Sequence, residues 1–153
     1  MRRYTRLGPA GYTNKRRDDV RNTVEYEIGK YFTRDLLKLK IQYYFNNSSE
    51  KYLHFYDYDS FKTSISLTHL FNESVFGYVA FSRQFRDYRS RSLIVDTSSL
   101  EWDRTYLVTT GLYYNLTKNC SLVANYTYRQ NWSNEPTQEY EGTIVSCGIN
   151  YSF

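Results

Sequence analysis

Chemistry needs reactive side chains that the fold can bring together, and this chain offers few. Hydrolysis by a serine, a histidine and an acid requires a histidine oriented by a carboxylate, and the only histidines are His54 and His69. His54 lies in the aromatic stretch YLHFYDY with no motif around it, and His69 interrupts an apolar row. No phosphate-binding loop, glycine-rich nucleotide turn or metal-ligand cluster appears. The chain therefore reads as a non-enzyme that needs no cofactor and no metal. The side chains with something to offer are charged: Glu25, Glu27, Lys38, Lys40, Lys62, Arg86 and Arg129. They occur singly, on alternate positions, and could act on the passage of charged solutes.

The elements that must carry them are strands. Period-two alternation runs through seven segments, at about residues 23–32, 36–46, 58–71, 75–87, 103–116, 120–131 and 140–153. In the second, Leu37, Leu39, Ile41, Tyr43 and Phe45 oppose Lys38, Lys40, Gln42, Tyr44 and Asn46. In the third, Phe61, Thr63, Ile65, Leu67 and Phe71 oppose Lys62, Ser64, Ser66 and Thr68. In the fourth, Arg83 shares the face of Val79, Phe81 and Phe85. The last segment sets Thr143, Val145, Cys147, Ile149, Tyr151 and Phe153 against Gly142, Ile144, Ser146, Gly148, Asn150 and Ser152, and it runs to the final residue.

The connections alternate in kind. Thr33-Arg34-Asp35, Asn72-Glu73-Ser74 and Thr117-Lys118-Asn119 are short polar turns, while residues 47–57, 88–102 and 131–139 are long polar segments. Sorting short turns to one end and long loops to the other is the habit of a transmembrane β-barrel. A lipocalin-like soluble barrel also has one apolar face. Three features favour the membrane: strands of 10 residues or more, a polar face bearing charge, and rings crowding strand ends, as at Tyr31, Phe32, Tyr43, Phe45, Phe71, Phe85, Tyr113, Tyr114, Tyr126, Tyr128, Tyr151 and Phe153.

A repeat runs through the chain. A shift of 84 positions places Arg2 on Arg86, Tyr4 on Tyr88, Asp19 on Asp103, Thr33 on Thr117, Tyr44 on Tyr128, Asn47 on Asn131 and Ser49 on Ser133; after a two-residue gap Tyr58 falls on Tyr140 and Phe71 on Phe153. The repeating unit is four strands. Residues 1–22 then read as a strand remnant plus a loop, and residues 23–153 as barrel strands, with earlier strands expected outside this chain. No apolar segment follows Met1-Arg2-Arg3-Tyr4, so an export signal would also have to lie upstream.

Composition agrees. With 18 Tyr and 9 Phe among 153 residues, the apolar content sits in amphipathic rings suited to strands and interfaces. The 20 basic residues are interleaved with 16 acidic ones, which argues against a nucleic-acid partner. Cys120 and Cys147 form no metal-ligand spacing. In a hairpin centred near Glu135, Cys147 lies opposite Ala124 and Cys120 opposite Tyr151, roughly 13 Å apart at the strand rise, beyond disulfide reach.

The ending INYSF, with Val145, Cys147, Ile149, Tyr151 and Phe153 in one row, resembles the C-terminal assembly signal of Gram-negative outer-membrane barrels. The stretch YYNLTKNCSLVANYTYRQNWSNEPTQEYEGTIVSCGINYSF is similar to the closing hairpins of β-barrel porins linked to exopolysaccharide export. The resemblance implies an all-β, antiparallel up-and-down transmembrane barrel of which seven to eight strands are present here as part of a larger one. It further implies the bacterial outer membrane as location, membrane lipid and the β-barrel assembly machinery as partners, and passive passage of a polar solute or polysaccharide. Glu25, Glu27, Lys38, Lys40, Lys62, Arg86 and Arg129 are then candidates for the lumen wall. The other reading is a non-conducting barrel that binds sugars or surfaces through its loops, where Tyr52, Phe55, Tyr56 and Trp132 offer rings for stacking.

Overall fold

The computed structural model describes residues 2–4, 17–48, 56–94 and 96–152. They form one antiparallel sheet in which each strand pairs with the next in sequence. The strands are β1 (Arg2–Tyr4), β2 (Arg17–Tyr31), β3 (Asp35–Ser48), β4 (Tyr58–Leu70), β5 (Val75–Ser92), β6 (Leu100–Thr117), β7 (Cys120–Ser133) and β8 (Tyr140–Tyr151). Among the described residues no ladder joins β8 to β1 or β2, so the sheet is an open up-and-down meander, as part of a larger barrel would be. There is no α-helix among the described residues; one 3-10 turn, Pro136–Gln138, lies between β7 and β8.

The expected segments are all present, but several are longer. β2 begins at Arg17 rather than at 23, and β5 continues to Ser92 rather than 87. Both extensions are rich in charge, so hydrophobic alternation does not mark them; they are held by the backbone ladder, as Asp19 opposite Ser48 in β2 and β3. The expected register of the last hairpin is found: Ala124 faces Cys147 and Cys120 faces Tyr151. Both thiols are free.

The sheet has no apolar core. The only buried apolar side chains among the described residues are Tyr58 and Tyr88, while Leu39, Ile41, Ile65, Phe81 and Val145 stand exposed. Buried strand residues are instead polar: Asn46, Ser60, Ser82, Glu101, Asp103, Thr105, Asn131 and Ser133. Register places all of them on one face. Hydrophobic burial normally works the other way round. A row such as Ile28, Leu39, Ile65, Phe81 and Val108, continuous across five strands, needs a cover that this sheet does not supply.

Aromatic side chains occupy the loop-side end of the apolar face, where Tyr43, Phe61 and Phe85 lie in one cross-strand row that continues through Arg104 to Trp132. Three rings expected in such a belt lie elsewhere. Tyr31, at the end of β2, shares the polar face of Glu25 and Glu27. Tyr113 stacks on Phe76 at 4.6 Å on the polar face near the short turns. Tyr126 stands mid-strand, between Thr110 and Val145. Short adjacent aromatic runs such as Tyr113-Tyr114 must point to opposite faces, which position along the chain alone does not reveal.

The repeat is structural, with one correction. Arg2 faces Asp19 as Arg86 faces Asp103. Beyond the following turn the equivalence moves by one residue, because the β6–β7 hairpin has a bulge between Asn115 and Thr117 that β2–β3 lacks. Asn131 therefore corresponds to Asn46, not Asn47, and Tyr128 to Tyr43, not Tyr44. Contacts bear this out: Tyr43 donates to Asp59 (2.9 Å) and Tyr128 to Glu141 (3.3 Å).

Candidate functional site

The polar face carries a row that crosses seven strands at one level: Glu25, Gln42, Lys62, Gln84, Thr105, Asn131 and Tyr140. Strand alternation puts every second residue here. The register also places Glu27, Lys38, Lys40, Arg86 and Arg129 on this face, so all seven charged residues picked out from sequence share it.

They are not equivalent. Lys38 pairs with Glu27 at 2.9 Å and Lys40 with Glu25 at 2.6 Å, and Gln42 also donates to Glu25 (2.6 Å). These two ion pairs are part-exposed and add little stability. Their effect is to cancel charge locally on β2 and β3. Lys62, on β4, has no carboxylate partner among the described residues. Arg129 lies over the ring of Tyr140 at 5.0 Å.

Arg86 belongs to a different environment, a buried network at the loop-side end. Its guanidinium donates to the Tyr88 hydroxyl (3.3 Å) and to Asp103 (3.4 Å), and lies 4.8 Å from the Tyr58 ring centre. Tyr88 and Asn131 also donate to Asp103, both at 3.3 Å. Thr105 donates to Asn131 (2.6 Å) and Arg21 to the Tyr58 hydroxyl (2.8 Å). Gln84 bridges Ser60 (3.0 Å) and Tyr44. Beyond it, Arg91 pairs with Glu101 at 2.7 Å. Burial would make each of these groups costly alone; the shared partners are what make the cluster tolerable.

The loops are tied to the same end. Asn46 donates to the Tyr56 carbonyl (3.0 Å), and Asn131 to the Gln138 carbonyl (2.9 Å). The Glu135 carboxylate accepts the Ile94 backbone N–H (2.8 Å) and the Thr137 hydroxyl (3.0 Å), which clips the β5–β6 loop to the β7–β8 loop. Those bonds, the backbone one first, hold the Glu135 carboxyl below its ordinary range. Asp96 is lowered in the same way by Ser98 and Ser99.

Tyr58, Tyr88, Asp103 and Asn131 are not among the site residues picked out from sequence, although all four are members of the repeat. Recurrence was the signal. Of the ring candidates, Trp132 is not in a loop: it lies within β7, one residue before its end, on the apolar face and 5.0 Å from Tyr106. Tyr56 is half-buried just before β4. Tyr52 and Phe55 lie outside the described residues. In the assembly row, Val145, Cys147, Ile149 and Tyr151 share the apolar face of β8, and Phe153 lies outside the described residues.

No group of His, Cys, Asp or Glu able to hold a metal occurs among the described residues. His69 contacts Asp35 at 2.7 Å beside the β2–β3 turn, a pairing between facing residues of β3 and β4. What this face can do is present water with a graded set of charges and hydrogen-bonding groups.

Nothing matches the chain among curated proteins or among solved structures. A family profile described as Putative beta-barrel porin 2 matches residues 57–153, which hold β4 to β8 and the buried network apart from Arg21 and Tyr44. That span is more than half of the chain, and the chain belongs to this putative β-barrel porin family.

Proposed function

We propose that this sheet is part of the wall of a pore in the bacterial outer membrane, with lipid against the apolar face and water against the polar one. The reading rests above all on the inverted polarity of the sheet, in which polar strand residues are buried and Ile65, Phe81 and Val145 are exposed. In hydrocarbon every backbone N–H and C=O must be paired, which only a closed sheet achieves with strands. The complete barrel passes polar solutes, or a polysaccharide, passively and performs no covalent chemistry. The terminal row of β8 is the part presented to the β-barrel assembly machinery.

The test is conductance of the full-length protein in planar bilayers. Discrete channel openings are expected; a correctly inserted barrel that stays at background would overturn the pore. A second reading, a plugged barrel that acts through its loops, is favoured by the density of the network around Arg86 and Asp103. It predicts background conductance that rises when Arg86 and Asp103 are both replaced by alanine.

A further inference from the structure

Two cations on the apolar face have no carboxylate partner among the described residues, Lys30 beside the β2–β3 turn and Arg83 on the loop side of β5. Arg83 lies on β5 between Phe81 and Phe85, opposite Thr63 of β4 and Tyr106 of β6. Its guanidinium stands over the Phe85 ring at 4.4 Å and the Tyr106 ring at 5.1 Å. Arg104, across from Phe85, lies 5.3 Å over the same ring and 4.8 Å over Trp102.

The described acids of the apolar face at this end have partners of their own. Asp87 pairs with Arg104 at 2.8 Å, and Asp59 with Arg89 at 2.6 Å. Glu141 accepts from Tyr128. Arg83 is exposed and has no ion pair among the described residues.

On a lipid-facing wall an arginine is costly at the midplane and cheap at the interface. Arg83 is eight residues from the start of β5 at Val75. At a rise of about 3.3 Å and a tilt near 45° its Cα stands about 19 Å above that end, within an apolar band of roughly 25 Å. Its side chain leans toward Phe85, one further step toward the loops. The guanidinium thus reaches the depth where lipid headgroups begin, framed by rings of the kind found there.

We propose that Arg83, supported by Phe85, Tyr106 and the neighbouring Arg104, binds the phosphate of a bilayer lipid headgroup on the outer wall of the barrel. A planar guanidinium with free donors matches a phosphate monoester bidentately. The site rests on the membrane reading given above.

The test is spin-label electron resonance on the full-length protein reconstituted in phosphatidylcholine vesicles, comparing spin-labelled phosphatidic acid with spin-labelled phosphatidylcholine. The expected result is about a fivefold preference for phosphatidic acid at the protein surface, the effect of one basic side chain near charged lipid. Arg83→Gln abolishes it, Arg83→Lys keeps most of it, and gel mobility of unboiled samples confirms that both are folded. Motionally restricted lipid without headgroup preference, or a preference unchanged in Arg83→Gln, would overturn the site and leave the barrel standing. No restricted lipid at all would overturn both.

Discussion

Asn46 and Asn131 stand 85 positions apart and do the same thing: each is buried on the polar face and donates its amide to a carbonyl of the loop that follows. The partners, Tyr56 and Gln138, are equivalent in the repeat. A four-strand unit has been used twice, and what it retains is the tie between strand end and loop.

Removing the tie should be costly where it is embedded. Asn131 also donates to Asp103 and accepts from Thr105, so Asn131→Ala leaves buried groups unpaired, at about 1–3 kcal/mol. Asn46→Ala should cost less. Urea unfolding of the membrane-inserted full-length protein gives the order, and limited proteolysis should cut residues 134–139 faster in Asn131→Ala alone.

The loop clip should depend on pH in one direction. Glu135 is held below the ordinary carboxylate value of 4.5, so its contribution is complete above that value and disappears as pH falls through the lowered one. Protection of the Ile94 amide in hydrogen exchange, corrected for intrinsic rates, should persist to about pH 4.5 and fall below it. In Glu135→Ala it should be absent throughout.

Selectivity should follow pairing rather than charge count. Swapping the charges of the Glu27–Lys38 pair keeps it neutral, and the reversal potential in a salt gradient should hardly move. Lys62→Glu converts an unpaired cation and should shift the preference toward cations. Equal shifts would show that the local pairing on β2 and β3 does not matter.

Gly111 fills a position where a side chain does not fit. A methyl group there would lie 2.6 Å from the Asn125 amide oxygen and against the ring of Tyr78. Gly111→Ala should lower stability by about 1–3 kcal/mol. At Gly29, on the same face, the nearest atom would be at 3.5 Å, and Gly29→Ala should be neutral or mildly stabilising, as judged by urea midpoints.

Much of this could be read in the sequence, and the exceptions have physical causes. Strict alternation in Leu122, Ala124, Tyr126 and Tyr128 and in Val145, Cys147 and Ile149 leaves one register that puts both rows on one face, which is why Ala124 meets Cys147 as expected. Strand ends such as Arg17 and Ser92 were not legible, because a ladder can continue through polar residues that have no facing preference. The shift from Asn47 to Asn46 was hidden because the bulge between Asn115 and Thr117 changes register without changing composition. Recurrence marked Arg86, Tyr88, Asp103 and Asn131 singly, but only the register brings them into one network.

If the proposed pore is right, neighbouring residues of one strand meet different solvents. In the full-length protein with Cys120 and Cys147 replaced by alanine, single cysteines at Ser66 and Leu67 would be reacted with a membrane-impermeant thiol reagent in sealed bilayers. Ser66 lies between Lys38 and Ala80 on the polar face, and Leu67 between Leu37 and Val79 on the apolar one. Rapid labelling is expected at Ser66→Cys and none at Leu67→Cys until detergent is added. Equal labelling at the two positions, or the reverse order, would contradict the proposed pore.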